Sequence, residues 1–232
     1  MAEISISTPH RQLKGYLATP KGRGPWPGVI VLHDIFGSTD VTRGHADWLA
    51  GQGYLAVALD LFSWGGRIRC IRALMTDLSA RKGASFDDVD SARQWLEGLQ
   101  DCTGKTGVIG FCATGGFAIL LATGHGLSAV SANYGQVPND IDAILDGACP
   151  VVASYGGRDR ALKGAAARLN GALELRQIEH DVKEYPDAGH SFLDDHKGII
   201  GVLGVLLGAS YKEKDAADAR DRIQAFFARH LT

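Results

Sequence analysis

The chain has 232 residues, which is long enough for one α/β domain with a sizeable buried core. Hydrophobic residues make up 45% and charged residues 22%, as in an ordinary globular protein. The formal net charge is −2 and the sequence has no basic stripe, so we expect no nucleic-acid partner. The longest late apolar run, residues 199–207, is too short to cross a bilayer, so we expect no membrane association.

The first residues lack the basic and apolar regions of a secretory signal, so we expect a cytoplasmic protein. The four cysteines have no paired spacing and are predicted to be free thiols: Cys70, Cys102, Cys112 and Cys149. No repeat or linker divides the sequence, so we predict a single domain over residues 1–232. No cofactor is indicated, and a monomer or a small homo-oligomer is expected.

Short runs rich in Val, Ile and Ala alternate along the chain with helical patterns. Residues 4–7 and 13–18 lean toward alternating polarity and predict an antiparallel edge. The later runs are apolar throughout, as is typical of central parallel strands. They cover residues 28–33, 54–59, 106–111, 127–134 and 150–155, and a further strand-like run covers residues 178–185. This order predicts an α/β fold with a mostly parallel central sheet and helices on both faces.

Two helices are marked by apolar residues at helical spacing. The first has acidic Asp87 and Asp88 at its predicted start, where the helix dipole favours them. Its apolar face consists of Val89, Ala92, Trp95, Leu96 and Leu99. The second is a closing C-terminal helix with Ile223, Phe226, Phe227 and Leu231 on one face. Ligands of such sheets bind beyond the carboxyl ends of the strands, so we expect catalytic residues just after a strand.

Two segments in the first half of the chain carry ionisable residues. His33 and Asp34 follow the strand predicted at residues 28–33; both residue types also form turns, and we do not expect a catalytic role for His33. Arg67, Arg69 and Arg72 lie in a segment that either binds an acid group of a substrate or is a solvated basic cluster.

The strand predicted at residues 106–111 runs into the sequence GFCATGG and then into a helical pattern. This is the strand–turn–helix context of a nucleophile elbow, G-x-S-x-G, with Cys112 in place of serine. The helix N-terminus favours the negative charge of a thiolate, although a small buried cysteine is the simpler alternative. Thr114 replaces the second glycine of the pattern, so we expect Gly115 and Gly116 to allow the close packing.

A carboxylate and an imidazole follow two later strands. Asp159 ends the turn GGRD after residues 150–155, and His190 lies in DAGHSF after residues 178–185. The order nucleophile, acid, histidine is that of the α/β-hydrolases. Three acidic residues near His190 are alternative partners for it: Glu184, Asp187 and Asp194. In such enzymes the oxyanion is held by two backbone N–H groups, which here belong to Ala113 and Ile35.

Together these residues resemble the dienelactone hydrolase family, the cysteine branch of the α/β-hydrolases, over almost the whole chain. The resemblance is carried by the segments HDIFG, GFCATGG, NYG, GGRD and DAGHSF. It implies a Cys112–His190–Asp159 triad that hydrolyses a small-molecule ester or lactone through a thioester.

The resemblance also implies roles for residues around the triad. Asp34 stands where the family usually has a glutamate that contacts the nucleophile and helps to generate the thiolate. The family binds its substrate's carboxylate with arginines, one of them shortly after the catalytic histidine, but no arginine occurs in residues 193–196. The residues expected to bind substrate are Phe36, Arg69, Arg72, Tyr134 and Phe192.

Two other functions are considered. One is a non-catalytic protein that binds a small molecule on a hydrolase scaffold, since a fold does not dictate a function. The other is a metal-dependent hydrolase, for which the eight histidines and four cysteines show no H-x-x-x-H or C-x-x-C spacing. We expect no metal. Whether the glycine-rich residues 198–208 form a lid is left open.

Overall fold

The structure, a computed structural model, describes residues 1–195 and 211–232. The glycine-rich residues 198–208 lie outside the described residues. The strands are β1 (Ala2–Ser7), β2 (Gln12–Ala18), β3 (Trp26–Leu32), β4 (Leu55–Asp60), β5 (Cys102–Phe111), β6 (Ala129–Asn133), β7 (Val151–Gly156) and β8 (His180–Tyr185). The helices are α1 (Asp40–Gly51), α2 (Arg67–Ala80), α3 (Ala84–Glu97), α4 (Ala113–Leu121), α5 (Ile141–Ile144), α6 (Ala165–Leu175) and α7 (Glu213–Leu231). The strand order is β1-β2-β4-β3-β5-β6-β7-β8.

The chain forms two compact units, of which the first contains residues 1–109 and 231–232. Strands β3 and β4 pair in parallel, whereas β2 pairs antiparallel with both β1 and β4. Nearly every residue of β3 and β4 is buried, as expected for strands covered on both faces. A Cβ added to Gly28 would lie 2.7 Å from the Leu96 side chain, so the glycine permits close packing of α3 on β3.

The second unit contains residues 110–230. Strands β6, β7 and β8 pair in parallel, with Val151 opposite Val130 on one side and opposite His180 on the other. Helix α7 buries Ile223 and is tied to β8 by Arg222, which donates to the Asp181 carboxylate at 2.7 and 2.9 Å. The prediction of a single domain over residues 1–232 stays a prediction.

The predicted α/β fold with a mostly parallel sheet is confirmed, including the antiparallel edge formed by β1 and β2. Strand β5 begins at Cys102, four residues before the predicted start. The prediction missed residues 102–105 because they are partly exposed and lack the apolar pattern. Helix α3 also begins earlier than predicted, at Ala84, where the Asp77 carboxylate accepts the N–H of Ser85 at 2.9 Å. Asp88 is fully buried and forms an ion pair with Arg11.

Candidate active site

Cys112 lies in a sharp turn between strand β5 and helix α4, with φ +56° and ψ −119°. A backbone of this kind suits glycine and costs other residues about 1–3 kcal/mol. The Cys112 N–H donates to the Asn133 carbonyl at 3.1 Å, and the Cys112 carbonyl accepts the N–H of Gly115 at 3.0 Å. The turn therefore holds the thiol where β5 ends and directly before Ala113, the first residue of α4.

Glycine and threonine together make this turn possible. A Cβ added to Gly110 would lie 2.0 Å from the Thr114 carbonyl oxygen, and one added to Gly115 would lie 2.4 Å from the Asn133 carbonyl oxygen. Thr114 is fully buried, and its hydroxyl accepts the N–H of Phe111 and donates to the carbonyl of Phe111, each at 3.0 Å. Threonine in place of the pattern's second glycine thus fastens the turn to the strand.

The acid and the histidine lie on two neighbouring loops. Asp159 follows β7 and begins a 3₁₀ turn, in which its Oδ1 accepts the N–H of Ala161 at 3.1 Å. The N–H of Arg158 donates to the Ala188 carbonyl at 2.9 Å, which joins this loop to the loop of His190. A Cβ added to Gly156 would lie 2.4 Å from the Gly189 carbonyl oxygen, so the two loops approach too closely for any other residue there.

One imidazole connects the other two side chains of the predicted triad. His190 Nδ1 donates to Asp159 Oδ2 at 2.5 Å, and the His190 ring also forms a hydrogen bond with the Cys112 thiol. Burial lowers the pKa of His190, but the Asp159 carboxylate and the Cys112 sulfur outweigh it and raise the pKa to about 10. The structure therefore brings together Cys112, His190 and Asp159, and the raised pKa of His190 favours its imidazolium form.

The alternative partners of His190 are engaged elsewhere. Asp187 is exposed and its Oδ1 accepts from Arg158 at 2.5 Å. Asp194 is buried and its Oδ2 accepts from the Tyr134 hydroxyl at 2.5 Å. Glu184 lies exposed on β8. Of these carboxylates and Asp159, it is Asp159 that the structure pairs with the imidazole.

Tyr134 and Phe192, both predicted to contact substrate, are almost completely buried. The Tyr134 ring meets the edge of the His190 ring, with centroids 5.3 Å apart, and also packs against Phe192 at 5.8 Å. Phe192 in turn packs against Tyr185 at 4.9 Å. Both aromatic rings therefore support the histidine loop, and their contact with substrate stays a prediction.

In the first unit, the loop after β3 is a tight turn built on Asp34. Its Oδ1 accepts the N–H of Phe36 at 2.7 Å, and its carbonyl accepts the N–H of Gly37 at 3.2 Å. Ile35 lies at the tip of the turn and is 40% exposed. The roles predicted for Asp34, Ile35 and Phe36 in thiolate formation, oxyanion binding and substrate binding stay predictions.

His33, just before this turn, is a packed histidine in the structure. It is 1% exposed; Nδ1 donates to the Asp34 carbonyl at 2.7 Å and Nε2 accepts the N–H of Leu61 at 3.1 Å. Burial lowers its pKa against the opposing effects of the Asp34 carbonyl and the Asp60 and Asp34 carboxylates. Nε2 therefore joins the end of β3 to the loop after β4, while Nδ1 is used within the turn that follows β3.

The three arginines considered for binding an acid group of the substrate belong to helix α2. Arg67 donates to the Ile35 carbonyl at 3.3 Å, and its guanidinium lies 5.9 Å from the centre of the Phe36 ring. Arg69 stacks 5.2 Å from the Trp64 ring, and Arg72 is exposed. Substrate binding by Arg69 and Arg72 stays a prediction.

The hydrogen bond between Tyr134 and Asp194 was not expected from the sequence. An acidic residue four positions after His190, in the stretch of residues 193–196 that contains no arginine, was the available signal. In residues 1–195 and 211–232, no group of three or more His, Cys, Asp or Glu side chains is arranged to hold a metal ion. Within the same residues, no helix has the length and apolar character needed to span a membrane. The expected location and oligomeric state stay predictions.

Comparison with known proteins places these residues in a family. The sequence profile of the dienelactone hydrolase family matches residues 13–231. Over 245 aligned residues, the chain is 28% identical to a Yersinia pestis protein assigned as a carboxymethylenebutenolidase, with 98% of this chain and 88% of that protein covered.

Solved structures agree with the sequence comparison. A Klebsiella pneumoniae protein assigned as a dienelactone hydrolase is 28% identical, with a TM-score of 0.80 and 98% of each chain covered. A dienelactone hydrolase from Anabaena variabilis, 21% identical, shares the fold with a TM-score of 0.70, and the match covers 100% of this chain and 98% of that chain. Because the profile match extends over nearly the whole sequence, the chain belongs to the dienelactone hydrolase family.

Proposed function

We propose that this chain hydrolyses a carboxylic ester or lactone with Cys112 as the nucleophile, His190 as the acid and base, and Asp159 as the residue that orients the imidazole. Hydrolysis of an ester or lactone follows from membership of the family. The triad and the thioester intermediate are the proposal. The observation that supports it is the His190 imidazole, which is hydrogen-bonded to Asp159 on one side and to the Cys112 thiol on the other.

Acylation uses the imidazolium–thiolate pair directly. The Cys112 sulfur attacks the acyl carbon with its electron pair, and the carbonyl electrons move to oxygen to give a tetrahedral oxyanion. The Ala113 N–H, at the start of α4, is the proposed donor to this oxyanion. When the intermediate collapses, the C–O bond breaks, His190 gives its proton to the leaving alkoxide, and a thioester with Cys112 remains.

Deacylation returns the enzyme to its starting state. Neutral His190 takes a proton from water as the water oxygen attacks the thioester carbonyl. The C–S bond then breaks, Cys112 leaves as a thiolate beside the imidazolium, and the carboxylic acid is released. Asp159 keeps Nδ1 protonated throughout, so Nε2 is the nitrogen that exchanges protons with Cys112, the leaving group and water.

The test is hydrolysis of a small aryl ester, p-nitrophenyl acetate, by wild type and by C112A. We expect C112A to lose turnover while its circular dichroism spectrum and thermal unfolding midpoint stay those of a folded protein. Wild type, quenched with acid during turnover, is expected to carry an acetyl group on Cys112 by mass spectrometry. C102A, which removes a thiol outside the proposed triad, is the matched control and should keep wild-type turnover.

Turnover that persists in C112A, or an acetyl group found on another residue, would overturn the triad. A protein without hydrolase activity towards any ester or lactone tested, and with a Cys112 that reacts slowly with iodoacetamide, would instead favour the binding protein. Burial raises the pKa of the Cys70, Cys102 and Cys149 thiols, that of Cys149 to about 12, so alkylation near neutral pH reports mainly on Cys112.

A further inference from the structure

Tyr134 lies where it can hold the catalytic histidine in place. It follows β6 directly, with φ +40°, and is 1% exposed. Its ring meets the His190 imidazole edge-on, with an interplanar angle of 63°. Because the ring is buried on its other sides against Phe111 and Phe192, it cannot move without disturbing the packing around it.

The far end of the same side chain is fixed by a carboxylate. The Tyr134 hydroxyl donates to Asp194 Oδ2 at 2.5 Å, and Asp194 is 5% exposed. The N–H of Asp194 donates to the Ser191 carbonyl at 3.0 Å, which closes a turn directly after His190. Tyr134 therefore contacts one loop twice, with its ring at His190 and with its hydroxyl at Asp194.

The backbone around Tyr134 connects the histidine to the other two triad loops. The N–H of Tyr134 donates to the Ser154 carbonyl of β7, the strand that leads to Asp159, at 2.7 Å. The carbonyl of the preceding residue, Asn133, accepts the N–H of Cys112 at 3.1 Å. One short segment thus touches the strand of the acid, the turn of the nucleophile and the ring of the histidine.

We propose that Tyr134 and Asp194 are positioning residues: their hydrogen bond holds the Tyr134 ring against His190, and the ring keeps the imidazole aligned between Asp159 and Cys112. This inference rests on the proposed function. A hydrogen bond between a hydroxyl and a carboxylate is among the stronger ones in proteins and is enough to fix a side chain in one rotamer. A displacement of about 1 Å at a reacting group costs up to roughly 10²-fold in rate, so a loosened imidazole slows proton transfer without weakening substrate binding.

Four variants separate positioning from a general structural effect. Y134F removes only the hydroxyl, D194A removes the acceptor, and D194N keeps an acceptor oxygen for the hydroxyl. D195A removes the exposed carboxylate of the next residue and is the control. Two readouts are used: kcat and KM for p-nitrophenyl acetate, and the rate at which iodoacetamide alkylates Cys112 as a function of pH.

We expect Y134F and D194A to lower kcat about tenfold or more, with KM changed less than about twofold. Their alkylation profile should shift in pH, because the profile reports the pairing of Cys112 with His190. The titratable groups that face His190 are Cys112 and Asp159, besides the Tyr134 ring, and none of the variants removes either of those two. D194N should recover most of the wild-type kcat, and D195A should match wild type.

Wild-type kcat and an unshifted alkylation profile in both Y134F and D194A would overturn the inference. A raised KM with unchanged kcat would also overturn it, since that result belongs to a substrate contact. If D194A does not fold, Y134F decides alone, because it loses one oxygen atom and keeps the ring. Loss of the proposed function is seen separately, as turnover that survives C112A, whereas the alkylation profile tests the positioning role without any turnover.

Discussion

The Asp159 carboxylate lies 2.5 Å from His190 Nδ1 through one oxygen, while its other oxygen accepts the N–H of Ala161 at 3.1 Å. A carboxylate held at both oxygens cannot rotate away from the imidazole. D159N keeps this shape but turns one acceptor into a donor, and the ring then takes the wrong tautomer for catalysis.

We therefore expect D159N to lower kcat for p-nitrophenyl acetate by about 10²–10⁴-fold, with a much smaller change in KM. The matched control is D187N, since Asp187 is exposed and pairs with Arg158. It should keep the wild-type kcat. Equal losses in the two variants would show that the carboxylate near His190 has been assigned wrongly.

The raised pKa of His190 predicts how stability depends on pH. The folded protein holds the proton more tightly than the unfolded chain, because the pKa rises from 6.5 to about 10 against the effect of burial. The contribution of His190 to the free energy of unfolding is therefore fully present below pH 6.5 and is lost as the pH rises through about 10. Urea unfolding of wild type and H190Q over this range measures it: the difference between them should shrink as the pH rises. A constant difference would contradict the prediction.

His33 predicts the opposite trend on the acid side. Burial lowers its pKa, so the folded state resists protonation that the unfolded chain accepts. Its contribution to stability is present above the unfolded value of 6.5 and is lost as the pH falls towards the lowered pKa. Urea unfolding should show wild type losing more stability than H33Q between about pH 7 and about pH 5. Parallel losses in the two proteins would argue against this account.

Thr114 predicts a stability effect at the nucleophile turn. T114V keeps the shape of the side chain but removes the hydroxyl that bonds to both the N–H and the carbonyl of Phe111. We expect it to lower the free energy of unfolding by about 1–3 kcal/mol, measured by urea unfolding. T114S retains the hydroxyl and should lose less. If T114S is the less stable of the two, methyl packing rather than hydrogen bonding explains the threonine.

Much of the fold could be predicted from the sequence because most of its central strands have a clear apolar pattern. Strands β3, β4, β6 and β7 are buried along almost their whole length and read as continuous apolar runs. The first residues of β5 are partly exposed, so composition gave no sign of them. Helix α3 begins at Ala84 through a side chain seven residues upstream of it, Asp77, and no local pattern contains that contact.

The proximity of His190 to Cys112 and Asp159 could be predicted because each of the three follows a strand and their order is specific; their roles as a triad stay the proposal. The choice of Asp159 over Asp187 and Asp194 could not be made with certainty from sequence, because all three lie near a loop end and differ only in what surrounds them. Substrate binding by Tyr134 stays a prediction, but the sequence did not indicate that its ring is buried beside His190 or that its hydroxyl is held by Asp194. A buried side chain that packs against another and holds it in place has no sequence pattern of its own.

The left-handed backbone of Cys112 has opposite consequences for thermal stability and for ester hydrolysis. Glycine adopts φ +56° without the steric penalty of about 1–3 kcal/mol, although it gains about 0.4–1 kcal/mol of extra entropy when unfolded. C112G should therefore melt at an equal or higher temperature than wild type in differential scanning calorimetry, while turning over no ester. Selecting variants of this chain by melting temperature alone would consequently favour loss of Cys112, the proposed nucleophile, so each round of such selection needs a parallel assay of hydrolysis.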